Sequence, residues 1–420
     1  MNIPVRDEWS IVPLLEKSYN NTLSFNDLIS PLYGHRYLFP RIILIYLAKL
    51  NSGNIPIGLG IHILLAAGIF TILTYQIKKS VSGIKVNSLI FLPTISLIIF
   101  SFSQYLPWVE GFQINIFLSN FAAIAGFNLL TMENFRPRNF VIGLILGIIS
   151  MYSFSTGIIY WFAGFILLPF IKTKNKKSQV LIYLIWSLSA AFFIYLYING
   201  LDSGPNPQDN NLPLLYILKT VIFNPLILFK FIFILLGEAL LVTRNFLYPL
   251  LFGLTGLLIY LALLFHLIYF KKFNVKFLIF WIVLSIFTFL STILIAFGRV
   301  IAGFEQSLAP QYRTITNIFW ICFLLVSTTS SLNGNFRIRN HLLNKYLVAL
   351  IFIIISAFFV FSDITFYSFY PRHFGYLTMV KKSLLKGDLT EAKNISFDNP
   401  ELFKKNLMVL KKYKLFLFNK

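Results

Sequence analysis

Two carboxylates stand side by side near the start of this chain. In Asn2-Ile3-Pro4-Val5-Arg6-Asp7-Glu8-Trp9 the pair precedes an amphipathic segment, Ser10–Tyr19. Adjacent acids in one loop can divide labour: one takes a proton or positions an acceptor, the other holds a cation or fixes geometry. Asp-Glu could also occur in any polar N-terminal segment, so the pair needs partners elsewhere. Gly34-His35-Arg36-Tyr37-Leu38-Phe39-Pro40-Arg41 leads into an apolar helix at 42–50, and an arginine fork suits a phosphate or a carboxylate. Leu106-Pro107-Trp108-Val109-Glu110-Gly111-Phe112-Gln113 is short, aromatic and acidic. The run from Phe297 to Arg313 holds Arg299, Arg313, Gly298 and Gly303. Guanidinium charge beside backbone that can approach closely describes a monophosphate or diphosphate clamp. The same run, with Tyr312, also describes an interfacial loop with Arg and Tyr anchors, and spacing alone weighs the two equally.

The elements that must position these groups are set by composition. Of 420 residues, 57% are hydrophobic and 12% charged, about half the charged fraction of a soluble domain. The apolar residues come in blocks near the length a helix needs to cross ~30 Å of hydrocarbon. Lipid permits only helices or closed barrels, and the blocks do not alternate as barrel strands do. The expected fold class is therefore all-α: a polytopic transmembrane helix bundle of about ten spans, with external interfacial helices and a small C-terminal helical cap. Spans are expected near 55–77, 86–104, 112–131, 139–154, 157–171, 178–199, 247–270, 275–296, 314–332 and 345–362.

Alternate loops carry the Lys and Arg clusters: Lys78, Lys79 and Lys85; Arg136 and Arg138; Lys172 to Lys177; Lys271, Lys272 and Lys276; Arg337, Arg339 and Lys345. Positive-inside bias puts these in the cytoplasm. The net charge of +21 is thereby explained without nucleic acid. Residues 1–54 then form a first external loop, 55–362 the bundle, 200–246 an external loop within it, and 363–420 an external tail. The helix at 226–241 is expected to be interfacial or re-entrant, because a span there would turn Lys271 and Lys272 outward. Glu238 sits badly in so apolar a helix unless it meets protein, water or a headgroup. The Lys-rich tail reads equally as a cap resting on anionic lipid or phosphate and as a solvated helix.

Acidic residues gather on the predicted outer face: Asp7, Glu8, Glu16, Asp27, Glu110, Asp202, Asp209 and Glu305, with Glu133 on the other. Asp202 and Asp209 read as ordinary loop polarity. Cys322 is the only cysteine, so no disulfide forms within the chain. The five histidines lack metal-ligand spacing, and no metal ligand set is assigned.

Taken together, Asp7-Glu8-Trp9, His35-Arg36 followed by Phe39-Pro40-Arg41, Trp108 to Gln113, Gly298-Arg299, Gln306 to Ala309 and Tyr312-Arg313 resemble bacterial polytopic proteins of the GT-C glycosyltransferase superfamily. More narrowly, the chain is similar to members grouped with lipopolysaccharide and polyprenol-phosphate-sugar transferases. The likeness runs from about Asn2 to the tail on short motifs. It implies an enzyme of the bacterial inner membrane, active on the periplasmic or extracellular face. Such an enzyme takes a polyprenyl-phosphate-linked sugar as donor, inverts the anomeric carbon, and serves a lipid or cell-envelope glycan acceptor. By the resemblance Asp7 deprotonates or orients the acceptor hydroxyl, and Glu8 assists or binds a divalent cation where one is used. Arg299, Arg313 and Arg36 would hold the donor phosphate. His35, Trp108, Glu110, Gln113 and Tyr312 would line the substrate, with Phe112 available to stack on sugar or prenyl chain. The pattern departs in one respect: members carry a transmembrane helix before the acidic pair, and Met1 lies six residues upstream of Asp7. The expectation is a start further upstream, or loss of that helix and of activity.

Two other functions compete. A transporter or lipid-glycan flippase needs charges near the bilayer midplane; the expected spans contain almost none, which counts against it, and Glu238 is the exception. A polysaccharide polymerase or ligase would also use external arginines, on an undecaprenyl-diphosphate glycan, without needing the early acidic pair.

Overall fold

The computed structural model describes residues 2–82, 87–132, 136–171, 173, 175–201, 219, 221–241, 243, 245–270, 275–332, 341–367, 370–386, 388, 395 and 400–419. Asp202, Asp209, Glu133, Lys85, Lys172, Lys174, Lys271, Lys272, Arg337 and Arg339 lie outside the described residues. Among those described, the regular elements are helices and no strand forms.

Eight helical stretches are long and apolar enough to cross a membrane: Ile55–Val81, Ser88–Val109, Gly111–Leu130, Lys176–Ile198, Leu247–Tyr269, Leu278–Ala302, Pro310–Leu332 and Tyr346–Tyr367. The chain is thus an all-α polytopic membrane protein. The expected pair at 139–154 and 157–171 is shorter than a crossing. It consists of helices Pro137–Met151 and Ile158–Phe165, of 15 and 8 residues, about 22 and 12 Å long. Their polar junction at Ser153 and Thr156 is buried in protein, where non-helical backbone can be satisfied at membrane depth.

We number the α-helices in chain order. The N-terminal segment holds α1 (Val12–Tyr19), α2 (Phe25–Ile29) and α3 (Leu38–Asn51). The helix start expected at Ile42 lies one turn earlier, at Leu38. Then follow α4 (Ile55–Val81), α5 (Phe91–Ile99), α6 (Tyr105–Val109), α7 (Ile114–Leu130), α8 (Pro137–Met151), α9 (Ile158–Phe165) and α10 (Lys176–Ile198). The second half has α11 (Pro225–Glu238), α12 (Leu247–Phe265), α13 (Val275–Arg299), α14 (Arg313–Leu332) and α15 (His341–Tyr367). Helices α16 (Tyr370–Leu385) and α17 (Pro400–Lys412) end the chain.

α4 shows how sequence sets these elements. Asn54 caps it, Pro56 occupies its first turn, and Lys78 and Lys79 close its last turn against the negative end of the helix dipole. α14 is the central helix, buried along almost its whole length. α11, of 14 residues, is too short to cross and packs along α12. A Cβ on Gly237 would lie 1.9 Å from the Pro249 carbonyl oxygen, and one on Gly253 2.0 Å from that of Phe233. Only glycine lets these two backbones meet so closely.

The tail does not hang free. Its α17 docks on the N-terminal segment: Trp9 meets Phe403 at 4.7 Å and Tyr19 stacks on Tyr413 at 4.5 Å. Backbone bonds from Arg6 to Ile395 (2.7 Å) and from Phe416 to Ser52 (2.9 Å) extend the seam. The bundle helix α15 runs five residues beyond the expected 362, and Asp363 belongs to it. Its carboxylate accepts from the Ser103 amide at 2.9 Å.

Candidate functional site

The acidic pair opens a two-turn 3-10 helix, Arg6–Ile11. Glu8 is buried and both its oxygens are taken by backbone. Oε2 accepts from the Val5 amide at 2.8 Å, and Oε1 from the Gly111 amide. Glu8 thereby fastens the N-terminal segment to the turn between α6 and α7. Burial pushes its carboxyl up to about 8, and the neighbouring Glu110 charge adds to this. The Val5, Gly111 and Phe112 amides pull the other way. Desolvation outweighs three amides because the charged form has lost its water.

Asp7 is half-buried, and no hydrogen bond reaches its carboxylate among the described residues. Burial pushes it up to about 6, while the guanidinium of Arg299, and next that of Arg6, hold it lower than burial alone would. Arg299, at the end of α13, and Asp7, near the chain's start, therefore meet in one electrostatic neighbourhood. Glu110 completes the cluster. It lies 3.6 Å from Arg6 Nη1, accepts from Gln113 Nε2 at 3.1 Å, and is raised by burial to about 7.

An aromatic wall stands beside the acids. Burial raises the Tyr37 phenol well above its usual range, with Asp7, Tyr197 and Tyr312 adding to the effect and Arg299 opposing it. Tyr37 packs edge-on to Phe112 at 5.0 Å. His35 stacks on Phe154 at 5.3 Å. Burial, and then the Arg299 charge, lower its imidazole to about 3. It is neutral at ordinary pH, and its buried Nδ1 has no hydrogen-bond partner.

Of the residues expected at the site, Asp7, Glu8, His35, Glu110, Gln113, Arg299 and Tyr312 come together. Three others are engaged elsewhere. Arg36 donates to the carbonyls of Tyr197 (2.8 Å), Ile29 (2.7 Å) and Asn199, which clamps the segment before α3 to the end of α10. Trp108 donates to the Ser101 carbonyl at 3.0 Å and packs on Phe117. Arg313, expected in the loop before its helix, is 1% exposed. It pairs with Glu238, donates to the Ser103 carbonyl at 2.6 Å, and lies 4.3 Å from the Phe366 ring. The Glu238 misfit in α11 is thereby resolved by an internal ion pair. Asp27 is likewise committed, closing a capping box with Ser24 and bonding Lys17.

Arg6, Tyr37, Tyr197 and Phe154 belong to the site but carried no role in the sequence reading. Arg6 and Tyr37 adjoin singled-out residues, which was the one available signal. Tyr197 and Phe154 reach it only through folding. A divalent cation finds few free donors in this set: both Glu8 oxygens face amides, and Arg6 lies against Glu110. Among the described residues no three His, Cys, Asp or Glu side chains converge as ligands. What the arrangement offers is a carboxylate titrating near neutrality beside guanidinium charge, at the end of an apolar bundle.

These features define a polytopic helical membrane protein with a polar cluster at one end of its bundle. No family model, curated protein or solved structure matches the chain.

Proposed function

We propose that the chain is a membrane glycosyltransferase, moving a sugar from a polyprenyl-phosphate donor to a lipid or cell-envelope glycan acceptor. The observation that carries this reading is the meeting of Asp7 with Arg299. A proton acceptor and an anion holder lie together beside aromatic surface and an apolar bundle. Asp7 takes the proton of the acceptor hydroxyl as that oxygen bonds to the anomeric carbon. The bond from this carbon to the phosphate oxygen breaks, and its electron pair leaves with the lipid phosphate. Arg299 faces the charge that develops there, with Arg6 beside it. Glu8 acts as a positioning residue, holding the Asp7 segment against Gly111. The cluster would face the periplasm of a bacterial inner membrane, opposite the ends that carry Lys79, Arg136 and Arg138.

Charges inside the bundle bear on the transporter alternative. Glu238 and Arg313 pair with each other, and this favours an internal brace over a substrate path. The test is Asp7→Asn in purified full-length protein supplied with a polyprenyl-phosphate sugar. Turnover falls by two orders of magnitude or more, as about 10²–10⁴ is the usual worth of a general base. Unchanged turnover by a folded variant overturns the assignment of Asp7 as base.

A further inference from the structure

A second polar site lies at the opposite end of the bundle from the carboxylates. His62, in the first third of α4, bonds the Pro107 carbonyl at 2.7 Å beside the acidic cluster. Lys79 comes 17 residues later on the same helix, about 25 Å away along the axis. There a cavity of about 490 Å³ opens between the end of α4, the end of α7 and the start of α8. Lys79, Arg136, Arg138 and Asn139 line it on the polar side, Tyr75 and Leu129 on the apolar side. The volume falls within the range of small-ligand pockets.

Its charge is one-sided. Among the described residues, no acidic side chain lines it, and neither Arg136 nor Arg138 is in an ion pair. Both arginines are exposed. The cavity is also built rather than incidental. Lys79 Nζ donates to the Thr131 carbonyl at 3.1 Å, and Gln76 Nε2 to Asn128 Oδ1 at 2.6 Å, tying α4 to the last turn of α7. Asn139 is buried and its amide donates to the Arg136 carbonyl at 2.8 Å. The first turn of α8 lines the same space, and the positive end of its helix dipole adds to the field.

The apolar side continues onto the outer surface of the bundle. Tyr75 on α4 is 51% exposed, and Val141 and Ile145 on α8 are 53% and 48% exposed. In a membrane protein such surface faces acyl chains. A ligand that suits both parts carries a phosphate at the arginines and hydrocarbon along the helices.

We infer that this cavity binds the phosphate headgroup of an anionic phospholipid, with Arg136, Arg138 and Lys79 as its cationic contacts and α4 and α8 as the acyl-chain wall. Basic pockets between helix ends are suited to such headgroups, each cation contributing by its charge near the membrane surface. The inference stands independently of the glycosyl-transfer reading, since it involves no residue of the carboxylate cluster.

The test uses the full chain, delipidated in neutral detergent and titrated with phosphatidylglycerol, phosphatidylcholine or inorganic phosphate, with bound species read by native mass spectrometry. Phosphatidylglycerol is expected to bind more tightly than phosphatidylcholine. The double variant Arg136→Gln/Arg138→Gln should weaken phosphatidylglycerol by roughly thirty-fold, the equivalent of two surface charges, and leave phosphatidylcholine unchanged. Arg136→Lys/Arg138→Lys keeps the charge and should keep the preference. Both arginines are exposed, so neither pair of substitutions disturbs packing. Equal phosphatidylglycerol binding by wild type and the Gln variant, or no preference between the lipids, overturns the proposal. Displacement of the lipid by millimolar inorganic phosphate also overturns it, since the site would then take a small anion.

Discussion

Glu8 places its carboxylate where a side chain on residue 111 would stand. Its Oε1 accepts the Gly111 amide and lies 2.8 Å from the position a Cβ there would take. A Gly111→Ala substitution must therefore displace Glu8, which has no other room because its second oxygen is held by Val5. Overpacking of this kind costs about 1–3 kcal/mol. The expected result is a lower melting temperature in detergent, with release of the N-terminal segment visible as faster hydrogen exchange at Val5–Trp9. Wild-type exchange there would show that the contact is not holding the segment.

Raised carboxyls give stability a pH dependence of definite sign. Glu8 rises from 4.5 to about 8, Glu110 from 4.5 to about 7, and Asp7 from 3.8 to about 6. The folded chain then holds these protons more tightly than the unfolded one. Their contribution is full below about 4, and is lost as pH climbs to about 8. His35 opposes it: lowered from 6.5 to about 3, it favours the fold above 6.5 and costs stability below. Comparing wild type with Glu8→Gln isolates the Glu8 share, because His35 is common to both. The difference in melting temperature between the two should change steadily across pH 4.5 to 8, with wild type losing ground as pH rises. A difference that stays flat with pH would contradict the burial argument for Glu8.

Arg299 is the largest charge holding Asp7 down. Arg299→Gln removes it, so the Asp7 carboxyl rises further and more alkali is needed to ionise it. If Asp7 is the base, the acidic limb of the pH–rate profile moves to higher pH in Arg299→Gln. Arg299→Lys, which keeps a charge, should move it less. A limb that stays in place while the rate falls would mean that Arg299 acts on the donor alone.

The Glu238–Arg313 pair is a brace between α11 and α14. Removing one partner leaves a buried charge unpaired, which costs about 3–5 kcal/mol. Glu238→Gln and Arg313→Met are each expected to unfold at markedly lower temperature. The double variant Glu238→Leu/Arg313→Met should recover most of the loss, because neither charge then remains. A double variant as unstable as the sum of the singles would point to a role for the pair beyond mutual neutralisation.

Composition and block length in the sequence determined an all-helical membrane bundle, since lipid leaves an apolar 20-residue segment almost no other choice. Spacing also picked out the acidic pair, the aromatic turn around Glu110 and Arg299, because charges are rare enough in such a chain to be conspicuous. Hydropathy could not separate the short helices α8 and α9 from crossings, as burial in protein and burial in lipid ask for the same side chains. Nor could it distinguish arginines of like context. Arg36 reaches the carbonyls of Tyr197 and Asn199, Arg313 meets Glu238, and Arg299 stands beside Asp7, and those partners are 75 to more than 290 residues away along the chain. Which guanidinium meets which oxygen is decided by helix packing, and packing is a property of the folded whole rather than of any segment.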